Sequence, residues 1–285
     1  MTADPILPWL FVVRFGLNAT ALLAIGLALH ASLGILSPTD RRAALKRAGA
    51  AAIGVLLFGA ARLAVLNGQM TGGLADAFNP ETFALTWLTL GHASLTLGLG
   101  AGAIIVAALT GIRLVAIAGA LAIAGAFALT GHTQGLEHPG LAPAAVAAHV
   151  LIAGFWVAAP LTLWPRRGLG DATLLGRLKR FSAIAMAAIP VLVGLGLWLA
   201  WVLAGGFSGL LGTTYGQLLL AKFAVTMIAV AMGALNHQIV TGMVEATPAR
   251  GRTWLARTLS TEAVVFLIAV LIVSAATTFT GAGEH

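Results

Sequence analysis

Residues 131–164, GHTQGLEHPGLAPAAVAAHVLIAGFWVAAPLTLW, decide how the chain is interpreted. A short loop with an acid and two prolines leads into the apolar run 143–164, which contains His149. A run of about 20 apolar residues is long enough to cross the hydrocarbon core of a bilayer as a helix. An ionisable side chain is costly there, so His149 is a candidate functional residue.

The composition extends this interpretation to the rest of the chain. Of the 285 residues, 59% are hydrophobic and 9% are charged, whereas soluble domains carry about 25% charged residues. The mean hydropathy is +0.98. Every backbone group in hydrocarbon must be hydrogen-bonded, and apolar runs without period-2 alternation favour helices over a barrel. We therefore expect an all-α polytopic membrane protein with one transmembrane domain over residues 1–285.

Eight apolar runs predict a bundle of eight transmembrane helices. They lie at about 8–36, 48–66, 82–109, 114–131, 143–164, 181–204, 216–241 and 256–279.

The basic residues predict the orientation of this bundle. Thirteen of the 16 Lys and Arg residues lie at one alternate set of connections, and the opposite loops contain none. The positive-inside rule places this basic set in the cytoplasm and both termini outside. The thirteen are Arg41, Arg42, Lys46, Arg47, Arg113, Arg166, Arg167, Arg177, Lys179, Arg180, Arg250, Arg252 and Arg257.

Charge and motifs also exclude several functional classes. The net charge of +7 arises from these short clusters between apolar runs. It therefore reflects the orientation of the helices in the membrane and does not indicate nucleic-acid binding. The sequence lacks a phosphate-binding loop, a His-Glu-x-x-His run and a hydrolase elbow, so we do not expect an enzyme. There is no cysteine, so a metal would be bound by His, Met or carboxylate.

Four histidines fall on the predicted outer side of the membrane: His92, His132, His138 and His149. Imidazole binds copper, zinc, iron and nickel, and two or three such groups form a usable site. We therefore expect an outward metal site in which His92 and His149 lie within the membrane. The alternative for each histidine is a structural hydrogen bond or, in the loop, a plain surface position.

A second polar group is predicted near the cytoplasmic side. His30, His237 and Glu262 could form an inner metal site, although these positions favour interfacial polar residues at helix ends. Met70, predicted in an outward loop, could offer a thioether to Cu(I).

Three basic residues lie inside the apolar runs: Arg14, Arg62 and Lys222. Each could extend toward the outer headgroups or face the bundle interior and bind a partner there.

The same residues allow a second function, a b-type haem protein in electron transfer. Haem iron is held by histidines from facing helices. His92 and His149 could form an outer pair, and His30 and His237 an inner pair. The three basic residues within the membrane could then bind the haem propionates.

Three motifs occur in a recognisable order. They are GHTQ at 131–134 followed by HVLIAGFWVAAP at 149–160, KRFSAIAM at 179–186, and GTTYGQLLLAKFAVTMIAVAMGALN at 212–236. With this order and placement, the chain over about residues 85–275 resembles the CopD family of bacterial copper-resistance membrane proteins. The family's Gly-Gly after the Trp is replaced here by Val157 and Ala158, and its Arg after the Asn is replaced by His237.

The resemblance implies a multi-pass inner-membrane protein that imports copper. It also implies a periplasmic copper-binding partner of the CopC type, here as a separate chain. The positions that match family motifs are His132, His149, Trp156, Tyr215, Lys222 and Asn236.

Overall fold

The computed structural model describes residues 5–130 and 139–280, and within these ranges the chain forms helices and no β-strands. The predicted all-α membrane fold is therefore confirmed. The long helices are α1 (Leu7–Ser32), α2 (Pro38–Thr71), α3 (Pro80–Thr110), α4 (Arg113–Ala128), α5 (Ala142–Thr162), α6 (Asp171–Leu203), α7 (Thr214–Ala246) and α8 (Pro248–Phe279).

Each predicted span corresponds to one of these helices. Seven of them are long and apolar enough to cross a membrane. The exception is α4, whose 16 residues rise about 24 Å, less than the hydrocarbon thickness of about 30 Å.

The centre of the bundle is α1, which packs against α2, α4, α5 and α8. Half of its most apolar window is buried, whereas only 6% of the corresponding window of α7 is buried. Glycine allows the close approach of α1 to α5: a Cβ at Gly26 would lie 2.0 Å from the carbonyl oxygen of Gly154. Small residues at helix crossings are the usual means of packing in lipid.

The four basic connections meet at one end of the bundle, which we call the basic end. Arg180 donates a hydrogen bond to the Gly34 carbonyl at 2.8 Å, and Arg177 forms an ion pair with Asp40. These contacts join the α1–α2 connection to the start of α6. The Ser32 hydroxyl also lies 3.4 Å from the Arg113 carbonyl oxygen, which brings the α3–α4 connection to the same end.

The opposite end holds the start of α1 and the end of α8. The rings of Phe11 and Phe279 stack with their centroids 5.6 Å apart, and Arg14 donates a hydrogen bond to the Thr277 carbonyl. The first and last helices are therefore antiparallel neighbours.

The helices α2, α6 and α8 begin about ten residues before the predicted spans, at the basic end. Ser37 caps α2 by accepting a hydrogen bond from the Asp40 amide. The first turns of these helices contain charged residues and lie beyond the apolar runs. The hydropathy of the sequence therefore does not reveal that these turns are helical. At its other end α2 continues to Thr71, so the prediction that Met70 lies in a loop is wrong.

Candidate functional site

His149 lies at the contact between α5 and α6. A Cβ added at Gly196 would lie 3.2 Å from Cε1 of the imidazole, so the absence of a side chain there makes room for the ring. The Nδ1 atom is buried and has no hydrogen-bond partner among the described residues. Buried polar atoms are nearly always hydrogen-bonded, so an unpartnered ring nitrogen indicates a group with another role.

The backbone hydrogen bonding of α6 is weakened close to this ring. Pro190 lies inside α6, where it lacks the N–H that would bond to the carbonyl four residues earlier. Leu192, two residues further on, contributes its main chain to the surroundings of His149. Weakened helical backbone is tolerated at membrane depth where it is buried in protein or faces a cavity.

Lys222 of α7 lies close enough to His149 for its ammonium group to interact electrostatically with the ring. The structure therefore brings together two of the positions that match the family motifs. Tyr215, seven residues earlier in α7, is half-buried near the start of that helix.

Trp156 lies two turns along α5 from His149 and is 2% exposed. Its ring makes an edge contact with Phe266 of α8, with centroids 5.4 Å apart. A Cβ at Gly233 of α7 would lie 3.5 Å from its Cζ2 atom. The indole therefore fills the space between α5, α7 and α8.

One turn beyond Trp156, α7 and α8 share a polar cluster, which we call the Glu262 cluster: Asn236, Thr258 and Glu262. Asn236 Nδ2 donates to Glu262 Oε1 at 2.9 Å, and the Thr258 hydroxyl donates to Asn236 Oδ1 at 2.5 Å. Glu262 is 2% exposed. A buried carboxyl group at membrane depth is a functional candidate by default.

A local change in helix type presents Asn236 to this cluster. Residues Asn236–Val240 form a π-helical turn within α7. Such turns shift the phase of the side chains and are frequent at functional sites. On α8, Thr258 and Glu262 are four residues apart and therefore share one face.

Together these groups form a line through the second half of the bundle, which we call the α5–α8 column: His149, Lys222, Trp156, Asn236 and Glu262. The step from His149 to Trp156 is seven residues, or about 10 Å of helix rise. Phe266 and Gly233, which hold Trp156, lie one turn from Glu262 and Asn236 respectively. The column therefore connects an imidazole whose Nδ1 atom has no partner among the described residues to a buried carboxyl group.

The structure gives His30 a different role from the predicted inner metal site. His30 is fully buried, and both ring nitrogens have partners: Nε2 lies 2.8 Å from the Phe155 carbonyl oxygen and Nδ1 lies 2.7 Å from the Thr162 hydroxyl. A carbonyl oxygen can only accept, so Nε2 carries the proton and Nδ1 accepts from Thr162. His30 joins α1 to α5 and has no free lone pair for a metal.

The other predicted ligands with described positions are separate from the column. His92 and His237 are exposed on α3 and α7. Met70 is 56% exposed, and its sulfur accepts a hydrogen bond from Thr86 at 3.2 Å. Within residues 5–130 and 139–280 there is no group of three or more His, Asp or Glu side chains able to hold a metal ion. His132 and His138 lie outside the described residues.

The predicted inner grouping of His30, His237 and Glu262 is therefore not formed, because His237 is exposed while the other two are buried in different contacts. The paired histidines expected for haem are not formed either. His92 is exposed on α3, which packs against α1, α2 and α4, while His149 packs on α6.

Arg14 and Arg62 lie near each other, away from the column. Arg14 donates to the Thr277 carbonyl and, at 3.3 Å, to the Thr278 hydroxyl. The Nε atom of Arg62 is buried without a hydrogen-bond partner in the described parts of the chain.

The part of the chain that contains the Glu262 cluster matches a known protein family. Residues 175–276, which run from the start of α6 to the end of α8, match the model of the family described as "CopD: Copper resistance protein D". Over these residues the chain is similar to the CopD family. Comparisons with curated proteins and with solved structures give no significant match.

The CopD match is shorter than the resemblance at 85–275. It includes KRFSAIAM and the 212–236 motif, and thus Tyr215, Lys222 and Asn236. His149 and Trp156 lie before it, on a helix that packs against the matched part. The matched helices are therefore similar to those of a family named for copper resistance.

Two residues of the site were missed by the sequence reasoning. Thr258 completes the Glu262 cluster, and its spacing of four residues from Glu262 was a usable signal. Gly196 is the second, and no local pattern distinguishes it from Gly194, which has open space at its Cβ position.

Proposed function

We propose that this protein acts as a member of the CopD family and moves copper ions across the inner membrane along the α5–α8 column. The observation that carries the proposal is the buried, unpartnered Nδ1 of His149, placed in line with Glu262. Copper binds imidazole nitrogen readily, and Cu(II) also accepts oxygen ligands such as carboxylate. His149 would receive the ion, and the Glu262 cluster would provide the next site toward the basic end.

Lys222 gives the column a control element. Its ammonium group near His149 repels a metal cation at the ring. Repulsion between like charges is strong in a medium of low dielectric constant. We therefore assign Lys222 the role of limiting how long an ion stays at His149, which favours passage over storage.

The direction of transport is proposed to be inward. The basic end faces the cytoplasm by the positive-inside rule, so the His149 side of the column faces the periplasm. A periplasmic copper-binding partner of the CopC type would deliver the ion. The protein would act as a transporter and not as an enzyme, driven by the membrane potential and by delivery.

Copper flux into proteoliposomes tests the proposal. Purified protein is reconstituted with a copper-sensitive chelator inside the vesicles, and uptake is followed for Cu(I) under reducing conditions and for Cu(II). His149→Ala should abolish the flux. His92→Ala is the matched control, because His92 is an exposed histidine on another helix, and it should retain the wild-type rate. Unchanged flux in His149→Ala would refute the role of the column.

No structural observation favours the haem alternative, because neither predicted pair of histidines faces a common space. We expect the purified protein to show no Soret absorption band. A Soret band that disappears in His149→Ala would replace copper transport with haem binding as the function of this site.

A further inference from the structure

A cleft lies between α1, α2, α3 and α4, in the part of the chain that precedes the CopD match. Most of its wall is apolar and is formed by Leu17, Leu63, Leu90, Leu97 and Phe127. Ser94 and Thr130 contribute hydroxyl groups, and Arg62 is the one charged residue in the described lining.

Arg62 lacks a counter-ion in the part of the chain that the structure describes. None of the ion pairs among the described residues includes it, and its Nε atom is buried without a hydrogen-bond partner. A guanidinium group removed from water is destabilising unless an anion or hydrogen-bond acceptors compensate for it.

A second cation increases the positive potential of the cleft. Arg14 lies close enough to Arg62 for the two charges to repel each other. The Arg14 side chain is held in place by the Thr277 carbonyl and the Thr278 hydroxyl of α8. The chain thus keeps two like charges together, and a bound anion would offset their repulsion and accept a hydrogen bond from the Nε atom of Arg62.

We propose that the cleft binds the anionic headgroup of a phospholipid, with the phosphate on Arg62 and an acyl chain along the leucine-lined wall. Arginine matches the geometry of phosphate oxygens and binds them through two parallel N–H groups. The hydroxyls of Ser94 and Thr130 supply further donors. The apolar lining favours a phospholipid over free phosphate, because free phosphate leaves that wall empty.

This site is independent of the copper proposal. It uses α1–α4, whereas the column uses α5–α8, so failure of either proposal leaves the other intact.

Lipid retained through detergent washing tests the site. The full-length protein is washed exhaustively in a nonionic detergent, and the phospholipid remaining per protein is measured by mass spectrometry of the extract. The delipidated protein is then titrated with phosphatidylglycerol, phosphatidylcholine or inorganic phosphate. We expect about one retained anionic lipid per chain, with rebinding of phosphatidylglycerol at least tenfold tighter than that of the other two probes.

Three variants locate the binding. Arg62→Gln should lose the retained lipid, and Arg62→Lys should keep part of it because the charge remains. Arg47→Gln is the matched control, since Arg47 is exposed at the basic end of the same helix, and it should retain the wild-type amount. Ser94→Leu fills the cleft and should exclude the lipid without removing the charge of Arg62. This variant therefore tests the site even if Arg62→Gln does not fold.

Several results would overturn the proposal. Equal binding of phosphatidylcholine would show that the charge plays no part, and tighter binding of inorganic phosphate would identify a free-anion site. Unchanged lipid in both Arg62→Gln and Ser94→Leu would place the lipid elsewhere. Glu137 is an acidic residue of the loop before α5 and lies outside the described residues. Absence of retained lipid in the wild type, together with equal loss of stability in Glu137→Gln and Arg62→Gln, would identify Glu137 as the partner of Arg62.

Discussion

Asn236 and Glu262 are joined by a hydrogen bond of 2.9 Å between Nδ2 and Oε1, across the contact of α7 with α8. The bond links the π-helical turn of α7 to a carboxyl group that is 2% exposed. In the described part of the chain no basic side chain forms an ion pair with this carboxyl group. The Asn236 amide is therefore central to the stability of Glu262 in the bundle.

Asn236→Ala should destabilise the protein, because it removes the donor to a buried carboxyl group, while the Thr258 hydroxyl keeps the Leu255 carbonyl as an acceptor. A buried polar group without its partner costs about 1–3 kcal/mol. Thermal unfolding in detergent would measure the loss.

Glu262→Gln should preserve the fold but reduce copper flux, since the amide retains an oxygen acceptor and lacks the negative charge. Glu245→Gln is the control, as Glu245 is an exposed carboxylate at the end of α7 and should leave flux unchanged. Equal flux in Glu262→Gln and the wild type would remove Glu262 from the pathway.

Gly196→Val should displace the His149 ring, because even a Cβ at Gly196 would come within 3.2 Å of Cε1. Copper flux should then fall toward that of His149→Ala. Gly194→Val is a close control, two residues away on the same helix with nothing within 4 Å of its Cβ position. If both variants transport equally well, the position of the ring against α6 is unimportant.

Gly154→Val should impair assembly of the bundle. A Cβ at this position would lie 2.7 Å from Cγ2 of Ile25 and 3.0 Å from the Leu22 carbonyl oxygen. Overpacking a tight contact typically costs about 1–3 kcal/mol, and here the backbone of α1 limits relaxation. The yield of monodisperse protein in size-exclusion chromatography should fall. Gly125→Val, in open space on α4, should express normally.

Asp40→Asn should destabilise the basic end, since it leaves the Arg177 guanidinium buried without its counter-ion. The Arg177 side chain is 1% exposed and that of Asp40 is 22% exposed. Removing one partner of a fully buried pair costs about 3–5 kcal/mol, so we expect about 2 kcal/mol here because Asp40 retains contact with solvent.

An exposed ion pair at the same end provides the comparison for Asp40→Asn. Lys179 and Glu245 are each more than half exposed, and such pairs contribute about 0–1 kcal/mol. Chemical denaturation of Asp40→Asn and Glu245→Gln would measure both losses. Equal losses in the two variants would contradict the structural role of the Asp40–Arg177 pair.

Several features of the fold could be predicted because they depend on the local sequence. The length of the apolar runs predicted a helix for each of the eight spans. The alternation of basic connections predicted that these connections lie on one side, and the hydrogen bond from Arg180 to the Gly34 carbonyl joins two of them in the structure. The positions of the helix ends were predicted less accurately than the spans themselves. The first turns of α2, which Ser37 caps, are polar and lie beyond the apolar run.

The candidate site was predicted only in part. His149, Lys222, Trp156 and Asn236 were named, and Glu262 was assigned to a different group. The pairing of Asn236 with Glu262 depends on the π-helical turn of α7, and no pattern in the sequence predicted that turn. The sequence placed His30 in an inner metal site with His237 and Glu262, but in the structure the Phe155 carbonyl accepts a hydrogen bond from its ring.

The sequence alone determined that this chain is a helical membrane protein, how its basic connections are grouped, and that it lacks thiolate ligands. These properties depend on hydrophobicity, charge and residue identity, which can be counted along the chain. The tertiary structure decided which ionisable side chains face the interior: His149 is packed against Gly196, while His92 is exposed. In a membrane both the lipid-facing and the interior faces of a helix are apolar, so periodicity does not distinguish them and packing between distant helices makes the choice.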